Sequence, residues 1–524
     1  MAKIVSAQEA VSVLKDGMTL GIGGFGAYGA SDELLEALAG RYMETGHPAG
    51  LTVVAGISGG NNKPDDIGFN RLKVPGLLDT IIAGHFGNAP CIAGMVGADE
   101  VAGYAIPLGV VMHLYRAIAG KKPGVLTHVG LGTFADPRVE GCKANGKARA
   151  QNREVVSLVE LEGKEYLFYP SFPIEACLIR GTYADEDGNI SMAHEALTDA
   201  QLELAAAVHN SGGAVIVQVE AIVKRGTIPP KQVRIHNSAV DYVVKAQPRN
   251  HLQGYAAPIY RPELTGEIQV PTNALPAMKL DIRKVIARRA AMELRPGCLI
   301  NLGIGMPSGV ANVANEEGIA DQMTLSLESG PVGGVPVDGL GFAAAVNAEA
   351  IYSICDTFDL YDGGFLDMTF LGAAEIDRQG NVNVSKFGTR CTGPGGFVNI
   401  SQNARRVFYV GAFTSGKLTA EISNGELHIL QEGTGIKFVD KVQQITFSAS
   451  YAAQSGQEVM YITERAVFRL TPEGPMLVEL APGIDLERDI YPYMAFRPVI
   501  SPDLKQMDRR IFREEPMGLR PGDR

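Results

Sequence analysis

One glutamate, Glu328, stands in "MTLSLESGPVGGVP" (residues 323–336), where an apolar run gives way to a glycine-walled loop. A carboxylate at a strand end is a nucleophile or a ligand-binding group, and at neutral pH it is expected to be ionised without a neighbouring base. Its ordinary alternative is to cap the loop through nearby backbone N–H groups. The glycines that follow, Gly330, Gly333 and Gly334, would leave it reachable by a bulky ligand. A second stretch, "CTGPGGFVNIS" (391–401), offers successive N–H groups at Gly395, Gly396 and Phe397. Left free, these would form an oxyanion site; the plainer reading is a turn with a structural glycine pair.

Other motifs point away from common chemistries. "GIGGFG" contains a formal GxGxxG (Gly21, Gly23, Gly26), yet the next strand, "LTVVAGISGG", ends without the acidic residue that would hold a nicotinamide ribose. The loop still presents N–H groups to a phosphate or carboxylate. The complete GxxxxGK[ST] phosphate loop does not occur. Ser329 has no histidine base nearby, which argues against a serine hydrolase. Six cysteines and nine histidines are dispersed with no CxxC pair. That spacing speaks for reduced thiols in the cytoplasm and against a metal site, and a lone His85 in "AGHFG" reads as structural.

The elements that must position these groups come in two similar sets. "VLKDGMTLGIGGFG" parallels "ELRPGCLINLGIGMP", "LTVVAGISGG" parallels "MTLSLESGPVGG", and "ADEDGNISM" parallels "IDRQGNVNV", in the same order. This is an internal duplication of one α/β unit, with an insertion in the first copy. Glu328 then corresponds to Gly56, so the scaffold itself does not demand the acid. Between the copies lies "AQPRNHLQGYAAPIYRPELTGEIQVPTNALPAM" (246–278), with Pro248, Pro258, Pro262, Pro271 and Pro276 and no steady period, as in a linker. The expected domains are therefore 1–245, a Pro-rich linker 246–278, and 279–524 carrying the glutamate. Alternating strands and helices such as "SDELLEALAGRY", capped by Ser31, imply mainly parallel sheets with ligands beyond their carboxyl ends. "ELHILQEG", "QQITFSAS" and "EVMYITERAVFRLT" suggest a strand-rich finish, and "FREEPMGLRPGDR" a frayed tail.

Composition agrees with a multidomain globular chain: 524 residues, 46% hydrophobic and 20% charged. A net charge of −11 with no basic stripe gives no footing for nucleic acid, and no apolar run is long enough for a membrane span.

Taken together, "GLGTFADPR", "EYLFYPSFPIEACLIRGTYADEDGNIS", "NLGIGMP", "ESGPVGGVP", "DGGFLDMTFLGAAEIDRQGNVNVSKFG", "GPGGFVNIS" and "YITERAVFRL" resemble family I coenzyme A transferases across almost the whole chain. The similarity is greatest to single-chain bacterial enzymes acting on short-chain acids such as acetate and propionate. The resemblance implies two duplicated α/β domains with the active site in the cleft between them, and Glu328 as the nucleophile. It implies an oxyanion site at Gly395, Gly396 and Phe397, with Asn301 of "NLGIG" close by. The loop Gly23, Gly24, Phe25 and Gly26 would line the acyl pocket. CoA would be a substrate held covalently during turnover, with no permanently bound cofactor and no metal. The protein would be a cytoplasmic homo-oligomer, dimer or tetramer, meeting acyl-CoA and carboxylic acids but neither nucleic acid nor membrane. A departure is Cys142 in "EGCK", where relatives often read a second glycine. The alternatives are an acyl-CoA hydrolase or lyase transferase subunit on the same fold, and a ligand-sensing α/β module.

Overall fold

Eight strands form the sheet of the first unit, their apolar runs buried as a parallel sheet requires, apart from the exposed first strand at the edge. They are β1 (Lys3–Ile4), β2 (Thr19–Ile22), β3 (Leu51–Ile57), β4 (Leu78–His85), β5 (Ala102–Ala105), β6 (Ala176–Arg180), β7 (Ala214–Val219) and β8 (Tyr242–Lys245). Their order is β1-β8-β7-β6-β2-β3-β4-β5, with every pairing parallel. The helices α1 (Asp32–Thr45), α2 (Leu108–Ala119) and α3 (Gln201–Asn210) cover it. The computed structural model describes residues 2–255, 259–271 and 277–520.

The second unit has its own sheet, running β10-β9-β11-β12-β13-β14-β15-β16. Its strands are β9 (Leu299–Leu302), β10 (Thr324–Ser326), β11 (Met368–Leu371), β12 (Arg406–Val410), β13 (Glu458–Ile462), β14 (Ala466–Thr471), β15 (Gly474–Leu480) and β16 (Val499–Gln506). Pairing is parallel from β10 to β13, and β14 and β15 then return antiparallel. The strand-rich finish is thus present, except that "QQITFSAS" leads into a helix at Ala449–Ser455 instead of forming a strand.

The duplication is written into the hydrogen bonds. Leu20 pairs with Val53 in β2·β3, and Ile300 with Leu325 in β9·β10. The turns before them sit at φ +72 (Gly17) and +73 (Gly297). Glu175 Oε2 accepts from Thr19 N at 2.9 Å, and Asp367 Oδ2 accepts from Leu299 N at 3.0 Å. Asp185 and Asp377 close the same Asx turn, each accepting from backbone N–H groups two and four residues on. Continuing the register puts Gly21 opposite Asn301 and Gly56 opposite Glu328. In the first copy, a Cβ on Gly21 would lie 2.6 Å from Leu204, and one on Gly56 2.6 Å from Met112. Both glycines let a helix close on the sheet; the second copy spends the same positions on polar side chains.

Compactness divides the chain differently from its linear repeats. The first unit comprises Met1–Val270, Leu327–Asp359 and Ser385–Asn399; the second comprises Pro271–Ser326, Leu360–Val384 and Ile400–Arg524. Glu328, Gly395, Gly396 and Phe397 therefore belong to the first unit, although they come from the second repeat. Gly254, Tyr255 and Val270 of the Pro-rich stretch are bonded within that unit. Gly254 bridges Tyr28, Tyr255 N donates to Ala27 O, and the Asn347 amide clamps both the N–H and C=O of Val270. Pro258 and Pro276 lie outside the described residues.

Two local expectations change. Ser31 makes no capping bond; the open N–H of Glu33 is taken by Gln218 Oε1, and Asp32 binds Arg71 and Gly68 N. The C-terminal segment is not frayed as far as it is described. The buried Arg288 guanidinium donates to the carbonyls of Ile511, Arg513 and Glu515, while Glu317 accepts from Met517 N and Leu519 N. A buried cation without a carboxylate partner needs such carbonyls, and the tail supplies them.

Candidate active site

Glu328 follows β10 by two residues, in a tight turn. Gly330 N donates to Leu327 O at 3.0 Å, and Leu327 N to Pro331 O at 2.8 Å. Gly330 holds φ +128, and a Cβ there would stand 2.2 Å from Tyr352 O, so only glycine closes this turn. Tyr352 N in turn donates to Gly330 O at 3.0 Å, and Ser329 Oγ donates to Ala343 O. The turn is thus pinned on both flanks, with the Glu328 side chain left half-buried between them.

The loop 391–397 is fixed by long-range backbone bonds to the end of β4 and the start of α2. Phe86 N donates to Thr392 O at 2.7 Å, Gly395 N to Gly84 O at 2.9 Å, and Leu108 N to Gly395 O at 3.0 Å. The last bond fixes the planar 395–396 peptide by its carbonyl, so its N–H points the opposite way. There the Gly396 N–H donates to the Glu328 carboxyl. A Cβ on Gly396 would lie 1.8 Å from Glu328 Oε2 and 3.1 Å from the Phe358 ring.

This corrects the expected trio of free donors. Gly395 N–H is committed to Gly84, and Phe397 N–H to Pro394 O at 3.1 Å, closing the first turn of the helix Phe397–Asn403. Of the three, the Gly396 N–H is the one directed at the carboxylate. The ionisation expected of Glu328 changes as well. Burial pushes its pKa up to about 7, outweighing the Gly396 N–H that lowers it.

The loop Gly23–Gly26 lies in the same unit. Phe25 and Tyr28 exchange backbone bonds in a tight turn, and Gly26 O accepts from Gly60 N at 3.0 Å. The Phe25 ring meets Phe342 edge-on at 6.5 Å, and Tyr28 OH donates to Gly341 O. Since Ala343 holds Ser329, the glycine loop and the Glu328 turn share one short support. Asn301 is in the second unit, buried, where its amide donates to Ser326 O at 3.1 Å and accepts from Thr369 Oγ1 at 3.3 Å. It steadies the end of β10.

His85 ends β4 as a neutral ring, pushed down to about 4 by burial, with Gly87 N donating to its Nδ1 at 3.2 Å. Cys142 sits at φ +65, a left-handed backbone that favours glycine. Among the described residues, no group of three or more His, Cys, Asp or Glu is gathered as a metal site, and no helix is long and apolar enough to cross a membrane.

Sequence reasoning missed Asp199, whose buried carboxyl accepts from Gly24 N at 2.8 Å, and Phe342. Both depend on contacts between segments more than a hundred residues apart, and an aspartate before a helix offers no signal beyond a cap.

Residues 4–246 and 283–487 match the family Coenzyme A transferase. The chain is 45% identical to a caffeate CoA-transferase of Acetobacterium woodii over 99% of each sequence. It is 40% identical to the acetate CoA-transferase YdiF of Escherichia coli K12, covering 98% of this chain and 96% of that one. The crystal structure of the acyl-CoA transferase YdiF of Escherichia coli O157:H7 in its thioester complex with CoA matches with a TM-score of 0.92 at 38% identity, over 99% of this chain and 97% of the other. A fold shared from end to end, on a sequence conserved over the same length, places this enzyme in the coenzyme A transferase family.

Proposed function

We propose that the enzyme moves CoA from a short-chain acyl-CoA, such as acetyl-CoA or propionyl-CoA, to a free short-chain carboxylate through a thioester on Glu328. The observation that carries this reading is a half-buried carboxylate held at a strand end against one fixed N–H donor.

A Glu328 oxygen attacks the thioester carbon, the C–S bond breaks, and CoA leaves as thiolate with an acyl-glutamyl anhydride in place. The thiolate then attacks Cδ of Glu328, breaking the bond to the acyl carboxylate. The first acid departs and glutamyl-CoA remains. The acceptor carboxylate runs both steps in reverse, so every intermediate stays activated. The Gly396 N–H rests on the glutamyl oxygen and is ready for the oxyanion that forms at Cδ; a donor so placed is worth about 3 kcal/mol. With Gly395 and Phe397 committed elsewhere, it serves the steps at the glutamyl carbon in particular. Asn301 contributes by holding Ser326 and so the strand end, and Gly23–Gly26 with Phe25 against Phe342 would bound the acyl group.

The same reading makes the protein a cytoplasmic homo-oligomer, dimer or tetramer, with CoA as a substrate and not a resident cofactor. The unpaired state of all six cysteines supports a reducing compartment. We also assign its repeats to 1–245 and 279–524 around the segment 246–278; the gap in the family match between residues 246 and 283 supports that division. The test is a panel of acceptors with acetyl-CoA or propionyl-CoA as donor: acetate, propionate, butyrate, lactate, acetoacetate and an aryl-acrylic acid. Acceptor-dependent CoA transfer is expected, with the short-chain acids preferred. CoA release that ignores the acceptor would mark a hydrolase instead.

A further inference from the structure

The segment Thr198–Gln201, at the start of α3, touches both loops of the site. Asp199 Oδ2 accepts from Gly24 N at 2.8 Å, and the Gln201 amide donates to the same oxygen at 3.2 Å. Gln201 Oε1 accepts from Arg180 N and occupies the space a side chain on Gly23 would need, 2.3 Å from its Cβ position. One residue earlier, Thr198 Oγ1 donates at 3.0 Å to the carbonyl of Tyr352. Tyr352 N is bonded to Gly330 O in the turn that carries Glu328.

Asp199 itself is held at φ +47, a conformation uncommon for any residue but glycine, and is nearly fully buried. None of its hydrogen bonds comes from a cation: they are from N–H groups of Gly24, Ala200 and Gln201. A buried carboxylate of that kind, on strained backbone, is costly to a fold. A simple helix cap would use neither the strain nor the reach to Gly24.

We propose that Thr198, Asp199 and Gln201 are positioning residues that set the spacing between the Gly23–Gly26 loop and the Glu328 turn, and so decide which acyl groups the enzyme accepts. This rests on the reading of Gly23–Gly26 as the acyl-pocket loop. Asp199 fixes the backbone at Gly24, the point where the loop leaves β2. Gln201 fills the side of the loop at Gly23, and Thr198 ties the same segment to the Glu328 turn through Tyr352. A shift of the Gly23–Gly26 loop relative to that turn changes the room beside the reacting carbonyl while the Glu328–Gly396 contact stays as it is.

The test uses the full-length protein with propionyl-CoA and a series of straight-chain acceptors from acetate to hexanoate. Asp199→Ala should lower kcat/KM for the best acceptor by about a hundredfold, the order of loss for a 1 Å misplacement. It should also flatten discrimination along the series. Asp199→Asn keeps an oxygen for Gly24 N–H and tolerates the left-handed backbone, so it should recover most of the activity and the original preference. Thr198→Val removes only the bond to Tyr352 O, on the accessible edge of the segment, and should shift the preference in the same direction by less; it decides the matter should Asp199→Ala not fold. An unchanged acceptor preference in Asp199→Ala and Thr198→Val would overturn the proposal, as would equal loss in the Asn and Ala variants. Borohydride trapping of CoA on Glu328 in the unmodified protein separates the two readings. If trapping fails there, the proposed function falls; if it succeeds while the preference stays fixed in the variants, only the positioning role falls.

Discussion

Glu328 Oε2 lies 1.8 Å from the point where a Cβ on Gly396 would stand, and the Gly396 N–H donates to that carboxyl. Glycine is required at 396 by proximity and not by backbone conformation, since Gly396 is not among the residues at positive φ. One methyl group added there has to displace the carboxylate.

Gly396→Ala should therefore lower CoA transfer by about a hundredfold or more, through misplacement of Glu328. Its thermal midpoint should stay within a few degrees, because the backbone there suits alanine. Steady-state rates alongside a melting curve check this. Full activity would mean that the observed carboxylate position is not the reactive one.

Glu328→Asp withdraws the carboxylate by one methylene and leaves space of about one water between it and the substrate carbonyl. Transfer should fall far more than thioester cleavage, with the aspartate acting as a base on water. Comparing CoA release with and without acceptor, and with Glu328→Ala as control, measures the partition. Full transfer by the aspartate variant, with no added hydrolysis, would contradict it.

The carboxyl of Glu328 is raised from 4.5 to about 7. Only the ionised form attacks, so kcat/KM for the acyl-CoA should rise with pH and level off above about 7. The sign for stability is the reverse. Between about pH 4.5 and 7 the folded chain keeps a proton that the unfolded chain has lost, so this group's contribution to stability falls as pH rises through that window. Glu328→Gln should accordingly gain in melting temperature over the unmodified protein at pH 8 and not at pH 4. A pH-independent difference would place the carboxyl in ordinary solvent.

Asn301→Ala leaves Ser326 O without its amide donor, while Thr369 Oγ1 keeps only the Asn301 carbonyl; a buried acceptor so left costs about 1–3 kcal/mol. The denaturation midpoint should drop, and transfer should weaken with it as the end of β10 loosens. An unchanged midpoint would show that Asn301 does not brace the strand.

Much of this was legible in the chain itself. Setting the halves side by side paired Glu328 with Gly56, and the strand registers give the same pairing. Glycine at 395 and 396 announced a loop near the reactive group, but not which N–H remained for it. The partners that occupy the Gly395 amide and carbonyl, Gly84 and Leu108, are nearly three hundred residues away, and no local pattern encodes them. The raised pKa of Glu328 was hidden for the same reason, because the burial that causes it exists only in the folded unit. The last residues read as a frayed tail, where Arg288 gathers the carbonyls of the part that is described. In each case the missing information was a partner distant in sequence.

The central claim is a covalent thioester on Glu328. Incubation with propionyl-CoA in the absence of an acceptor, followed by borohydride, should reduce that thioester to an alcohol and abolish activity. Peptide mass mapping should then find the change on the peptide containing residues 323–336, at Glu328, and nowhere in protein not exposed to acyl-CoA. Modification at another residue, or none in a preparation that turns over normally, would contradict the account.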